Sequence, residues 1–535
     1  MRSYAFFLLQ AALVWTAPTI QLDNATVVGV SDGTTSSFYG LPYAKPPVGD
    51  LRLRVPEPID PYTGTINATA FGDLCFNFDN ETGTPPPWVT PQEGAYLHTL
   101  DAIPVTSTFS EDCLNLNVIV PANADRGDAF PVVAYIFLGA FAFGGSSAVD
   151  GRIIVNRSVA LGTPVIFVSM NYRLGPYGFL PGTQVKDAQA GNLGMQDQRE
   201  ALRWIQRYIS AFGGDPSRVT LLGLSSGGVS SAMHAIVNNG DTEGLFHGIW
   251  AESGAIQPVG PIDLAPAQAT YDRFAAALNC TNAVDSLECI RHVPTDALNA
   301  AGQALGVWSP HVDGEFITDL PQKLLVNGGA ARVSVVVGNA EDEGTALTIS
   351  YPAISNDTEF AETIRVAYYA NISDAQMARL LALYPNDPAL GAPYRTGDQN
   401  VLTPMYKRLA SLAGDVGVDA VRKVFARSFA AQGENVWAYR YARNRDVIPA
   451  FGTTHGSEIP NMYGGGDMTD LLINFVNTLN PNIPTSKLPW PRYSLSNPTL
   501  LEFIGNSSLR LIPDTYREEQ IEYLMQLNLQ HTWPY

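Results

Sequence analysis

Val219-Thr220-Leu221-Leu222-Gly223-Leu224-Ser225-Ser226-Gly227-Gly228-Val229-Ser230-Ser231-Ala232 passes from an apolar strand, through a glycine and serine turn, into a helical stretch. The turn has the form Gly-x-Ser-x-Gly. A hydroxyl on so sharp a turn is lifted above the end of the sheet, and the small flanking residues permit a strained backbone and a close approach of the following helix. This reading makes Ser225 the candidate nucleophile and places the chain among the α/β folds.

The flanking sequence agrees. Upstream, Asp197–Ile209 carries Leu202, Ile205 and Ile209 at helical spacing, and the stretch ends at Phe212-Gly213-Gly214-Asp215-Pro216, a predicted turn. The order helix, turn, strand, nucleophile, helix is an α/β alternation. Further out, Pro131–Phe137, Val165–Met170 and Val333–Val337 are near-continuous apolar runs bounded by turn residues, as a mostly parallel sheet covered on both faces requires. No internal repeat, charge run or low-complexity linker divides the chain, so one α/β domain with long insertions is expected over 18–535.

Composition sets the function classes. With 46% hydrophobic and 16% charged residues, the 535-residue chain can bury a large core. Its 51 acidic against 32 basic side chains give a charge of −19, which repels phosphate backbones and argues against nucleic acid as a partner. Met1-Arg2 followed by the apolar run Tyr4–Trp15 reads as a signal peptide cleaved near Thr16-Ala17, so residues 1–17 are assigned to a leader and the protein to the extracellular space. Eight Asn-x-Ser/Thr sequons, at Asn24, Asn67, Asn80, Asn156, Asn279, Asn356, Asn371 and Asn506, fit a secreted glycoprotein. The C-terminus lacks the hydrophobic tail of a lipid-anchor signal, so no stable membrane anchor is expected. Four cysteines can pair in three ways, and proximity favours Cys75–Cys113 and Cys280–Cys289. No His or Cys cluster has ligand spacing, so neither a metal nor any other cofactor is expected.

A serine hydroxyl needs a positioned base, and the base needs an orienting acid. Of seven histidines, His311 and His455 sit best for reaching a sheet edge, the latter in the glycine-flanked Phe451-Gly452-Thr453-Thr454-His455-Gly456-Ser457-Glu458. For the acid, strand Val333–Val337 leads into Gly338-Asn339-Ala340-Glu341-Asp342-Glu343-Gly344, at the strand end where ligands bind in open α/β sheets. The residues alone leave three acids open.

Many ordered stretches together resemble the type-B carboxylesterase/lipase family, the cholinesterase-like branch of the α/β hydrolases. They include Phe38–Pro47, Ser110–Asn117, Asn171–Gly175, Gly191–Gly194 with Asp197-Gln198, Phe212–Pro216, Val312–Gly314 and Trp490–Tyr493. The resemblance implies an α/β-hydrolase fold and the triad Ser225, Glu343 and His455. It also implies disulfides Cys75–Cys113 and Cys280–Cys289, and structural ion pairs Arg52–Glu111 and Arg173–Asp197. Backbone N–H groups of Gly139, Ala140 and Ser226 are then the oxyanion donors. The segment 76–112, with Trp88, corresponds to the family's lid region.

Two residues depart from the family pattern. Leu138 replaces a small residue of the oxyanion loop; if that position had φ > 0, leucine there would strain the loop by roughly 1–3 kcal/mol. Leu224 replaces the acid that usually precedes the nucleophile, so an electronegative site for a quaternary ammonium is not expected. With Phe141 and Phe143, Leu224 and Trp88 are instead expected to line an apolar pocket. The function implied is hydrolysis, through an acyl-enzyme, of small-molecule or lipid esters with apolar acyl or alcohol parts. A true lipase, a sterol esterase and a feruloyl-type esterase are the alternatives, as is an inactive adhesion or binding relative.

Overall fold

The computed structural model describes residues 17–78, 86–100, 108–306 and 308–534. The expected leader, except Ala17, lies outside them, as do Asn80 and residues 79–85 and 101–107 of the segment expected to act as a lid.

Among the described residues the central sheet has eleven strands: β1 (Val30–Ser31), β2 (Thr35–Pro42), β3 (Asn115–Pro121), β4 (Phe130–Ile136), β5 (Ile166–Met170), β6 (Gly214–Leu224), β7 (Gly248–Glu252), β8 (Ser334–Ala340), β9 (Val436–Tyr441), β10 (Thr499–Ile504) and β11 (Ser508–Pro513). In space they run β11-β10-β9-β8-β7-β6-β4-β5-β3-β2-β1. The seven strands from β5 to β10 are parallel, and the outer ones are antiparallel. The apolar runs explain the order: β4, β5 and β8 are buried along nearly their whole length, which only a sheet covered on both faces allows. A separate three-stranded sheet is formed by Thr19–Leu22, Asn24–Val28 and Thr63–Asn67.

Three helices matter for the site: α1 (Pro91–Leu100), α2 (Leu193–Tyr208) and α3 (Ser226–Met233). Helix α2 starts four residues earlier than its apolar spacing predicts, and the expected turn is narrower, because β6 already begins at Gly214.

Both disulfides form as expected, Cys75–Cys113 and Cys280–Cys289. The ion pairs Arg52–Glu111 at 2.6 Å and Arg173–Asp197 at 2.7 Å are buried. Such pairs specify position more than they stabilise, because desolvating both charges offsets their attraction.

Candidate active site

Strand β6 delivers Ser225 directly onto the N-terminus of α3. Ser225 has φ 58° and ψ −125°, a conformation that costs on the order of 1–3 kcal/mol unless its surroundings enforce it. They do: its N–H donates to the Glu252 carbonyl at the end of β7, 2.9 Å away, and its carbonyl accepts from Val229 N–H at 2.8 Å. The glycines are sterically required. A Cβ on Gly223 would lie 2.2 Å from the Gly227 carbonyl oxygen, and one on Gly227 would lie 2.1 Å from that of Ile136.

The turn after β8 carries the three candidate acids. Glu343 has no exposed side-chain surface, and its Oε2 lies 2.5 Å from His455 Nδ1. Its Oε1 accepts from Ala340 N–H and from Ser253 Oγ, both at 2.6 Å. The neighbouring acids are otherwise engaged: Glu341 meets Arg395 and Arg445, while Asp342 accepts from the N–H groups of Tyr394 and Thr453. Of the three acids that sequence left open, Glu343 is the one facing the imidazole. The histidine loop is stitched to this turn, since Asp342 N–H donates to the Thr453 carbonyl and Ala346 N–H to Thr454 Oγ1.

The other candidate base, His311, sits in the core. Its N–H donates to Asn192 Oδ1, and burial lowers its imidazole to about 4. It does not line the cavity that Ser225 lines.

That cavity, about 290 Å³, is lined by Ser225, His455, Gly139 and Ala140 together with Leu97, Leu138, Phe143, Ala346, Leu347, Ile349, Ser350 and Gly456. The loop expected to carry the oxyanion donors turns at Gly139, whose φ is +128° and whose carbonyl accepts from the N–H groups of Ala142 and Phe143, each at 2.9 Å. In a trans peptide the N–H opposes the carbonyl, so the Ala140 N–H points away from that turn.

The positive φ angles fall on Gly139, Ala140 and Phe141, not on Leu138, so leucine there brings no backbone strain. Leu224 is fully buried at the end of β6 and does not line the cavity. Phe141 turns inward onto Phe179, with ring centroids 4.8 Å apart, because the left-handed backbone at 140–141 reverses the chain. Trp88 packs with Val89, Tyr406 and Phe451 in a satellite core rather than against Ser225. Of the four residues assigned to the pocket, Phe143 lines it. The other walls come from α1 and from 346–350, whose apolar residues carried no sequence signal of their own because distant loops bring them together.

Among the described residues no group of three or more His, Cys, Asp or Glu side chains could hold a metal, and no helix is long and apolar enough to cross a membrane.

A family model described as "Carboxylesterase family" matches residues 16–524. The chain belongs to the carboxylesterase family. As such it is a carboxylic-ester hydrolase with the α/β-hydrolase fold. It is 35% identical to Secreted lipase 1 of Botryotinia fuckeliana, over 95% of this chain and 93% of that one. It is 34% identical to Lipase 1 of Geotrichum candidum, over 97% and 98%. The crystal structure of Aspergillus niger EstA superposes with a TM-score of 0.81 at 25% identity, covering 96% of this carboxylesterase and 99% of EstA.

Proposed function

We propose that Ser225 is the nucleophile, His455 its general base and Glu343 the acid that orients it, in a secreted esterase acting on esters with apolar acyl or alcohol parts. His455 takes the Ser225 hydroxyl proton as Oγ attacks the ester carbonyl, and Glu343 stabilises the resulting imidazolium. The N–H groups of Gly139, Ala140 and Ser226 receive the oxyanion, each such donor being worth about 10²–10³ in rate. His455 then protonates the leaving alcohol, and water attacking the acyl-enzyme releases the acid by the same steps in reverse.

The single observation that carries this reading is the 2.5 Å contact between His455 Nδ1 and Glu343, beside a cavity shared by His455 and Ser225. The apolar walls supplied by Leu97, Leu138, Phe143, Leu347 and Ile349 favour hydrocarbon over charged substituents. Secretion is supported by the leader-like N-terminus and by relatives named secreted lipases. Those names, together with α1 contributing Leu97 to the cavity, also favour a lipase reading in which 76–112 acts as a lid.

Rates on p-nitrophenyl esters of increasing chain length, with Ser225→Ala alongside, test both levels. Turnover that is lost in Ser225→Ala supports the triad. A preference for long chains, rising sharply once substrate forms an interface, marks a lipase; a preference for short soluble esters marks an esterase. A folded wild-type protein with no turnover on the whole series removes the reading and leaves a binding relative.

A further inference from the structure

A second cavity, of about 270 Å³, shares no lining residue with the one at Ser225. One wall is a face of α2, where Gln196, Arg199 and Arg203 recur at spacings of three and four residues. The other walls come from Lys186 and Gln189, from Asn238 and Glu243, and from Asp313, Glu315 and Phe316.

The full charges in these walls are matched in place. Lys186 Nζ lies 2.6 Å from Asp263. Glu243 serves two guanidiniums, accepting from Arg199 Nε at 2.8 Å and from Arg203 Nε and Nη2, each at 3.1 Å. Asp313 is occupied from within the chain: its Oδ1 accepts from the N–H groups of Glu315, Phe316 and Ile317, and its Oδ2 from Asn192 Nδ2. Among the described residues no cation of the wall lacks a carboxylate, so an anionic ligand has no free charge to meet, and a chain of charge −19 repels it at longer range.

What remains is hydrogen-bonding capacity of both kinds. Arg199 has 2% of its side chain exposed; Nε and Nη2 are taken by Glu243 and by the Asp241 carbonyl, and Nη1 has no partner among the described residues. A buried donor without an acceptor is costly to keep. Acceptors stand in the same walls. Gln196 and Gln189 spend their amide N–H groups on the Gly191 carbonyl at 2.7 Å and on Glu315 Oε1 at 3.1 Å, which leaves both amide oxygens and Glu315 Oε2. Phe316, with Val55 and Pro56, adds the apolar part of the lining.

We propose that this cavity binds a neutral saccharide unit supplied from outside the chain and held by its ring hydroxyls. A hydroxyl both donates and accepts, so adjacent hydroxyls use the guanidinium and ammonium donors together with the amide and carboxylate acceptors, while the C–H face of the ring covers the apolar part. No bond is made or broken there. Occupancy holds the secreted enzyme at a carbohydrate surface and leaves turnover of a soluble ester as it is.

Saturation-transfer NMR with methyl β-glucoside and cellobiose reads the binding, citrate and choline serve as charged comparisons, and hydrogen exchange with and without cellobiose locates it. Untreated and enzymatically deglycosylated protein are run side by side, because the chain's own N-glycans would be a second source of the same chemistry. The expected result is transfer to both saccharides and to neither charged probe, in both preparations, with exchange slowed in 186–203, 238–243 and 313–316. Gln189 and Glu315 are exposed, so Gln189→Leu combined with Glu315→Leu should keep the wild-type circular dichroism and its kcat and KM on p-nitrophenyl acetate. Saccharide affinity in that variant should fall about tenfold, the scale of one or two lost hydrogen bonds. Absence of transfer to either saccharide overturns the proposal, as does transfer to citrate or choline in place of the saccharides. Protection confined to other segments, or an affinity unchanged in the paired variant, removes the saccharide from this cavity and overturns it equally. Binding that appears only after deglycosylation assigns the cavity to the chain's own glycan and overturns the external source.

Discussion

His455 Nδ1 and Glu343 Oε2 are 2.5 Å apart, and the carboxylate has no exposed side-chain surface. A buried acid at this distance fixes both the tautomer of the imidazole and the charge that forms on it. Glu343→Gln preserves the shape while removing the charge, so kcat should fall by roughly 10³–10⁴, the scale on which neutralising the acid acts in serine triads. KM should change little. A fall of less than tenfold, measured on a soluble ester, contradicts the role given to Glu343.

Leu138 lines the cavity from a position of ordinary backbone φ. Leu138→Gly therefore relieves no strain and only enlarges the cavity beside Gly139 and Ala140. Its relative kcat/KM for esters with bulky alcohols, against their ethyl counterparts, should rise several-fold. An unchanged ratio shows that the leucine does not limit the substrate.

The two disulfides differ in the loops they close, with sequence separations of 38 and 9 residues. In the chain-entropy account, removing Cys75–Cys113 costs about 4 kcal/mol and removing Cys280–Cys289 about 2.6 kcal/mol. Paired Cys→Ala variants followed by urea unfolding should give this order. The reverse order would show that native contacts, not chain entropy, dominate.

Stability should decline from pH 6.5 to 8.5. Burial raises Asp342 and Glu458 to about 7 and Glu252 well above the carboxylate range, so in the lower part of this range the native state holds protons that the unfolded chain has already lost, and stability falls until they are given up. The buried His311, lowered to about 4, acts in the opposite sense only between that value and the ordinary imidazole pKa near 6.5, below the window. A Tm that rises between pH 6.5 and 8.5 contradicts this assignment.

Some of this was legible in the sequence for a physical reason. Strands β4, β5 and β8 are buried on both faces, so their apolar runs are unbroken and easily read. The Gly-x-Ser-x-Gly turn is equally plain, because only glycine fits where carbonyl groups come within 2.2 Å of a Cβ position. The acid was not legible from the residues alone: Glu341, Asp342 and Glu343 are adjacent, and which of them faces His455 depends on arginines and backbone groups from distant segments. The family resemblance supplied that choice. Nearness in sequence to the Gly-x-Ser-x-Gly turn or to the Gly139 loop says nothing about the direction of a side chain. Leu224 points into the core, and Phe141 is reversed by its backbone while Phe143 is not.

The central claim is that Ser225 is the group that carries the acyl chain. Incubating the folded protein with a fluorophosphonate and locating the adduct by peptide mass spectrometry measures this directly. The account predicts one adduct per chain, on Ser225, with parallel loss of ester turnover and no labelling of His455→Ala on the same timescale. Turnover that persists with Ser225 unmodified, or a stoichiometric adduct on another residue that accounts for the lost activity, would contradict it.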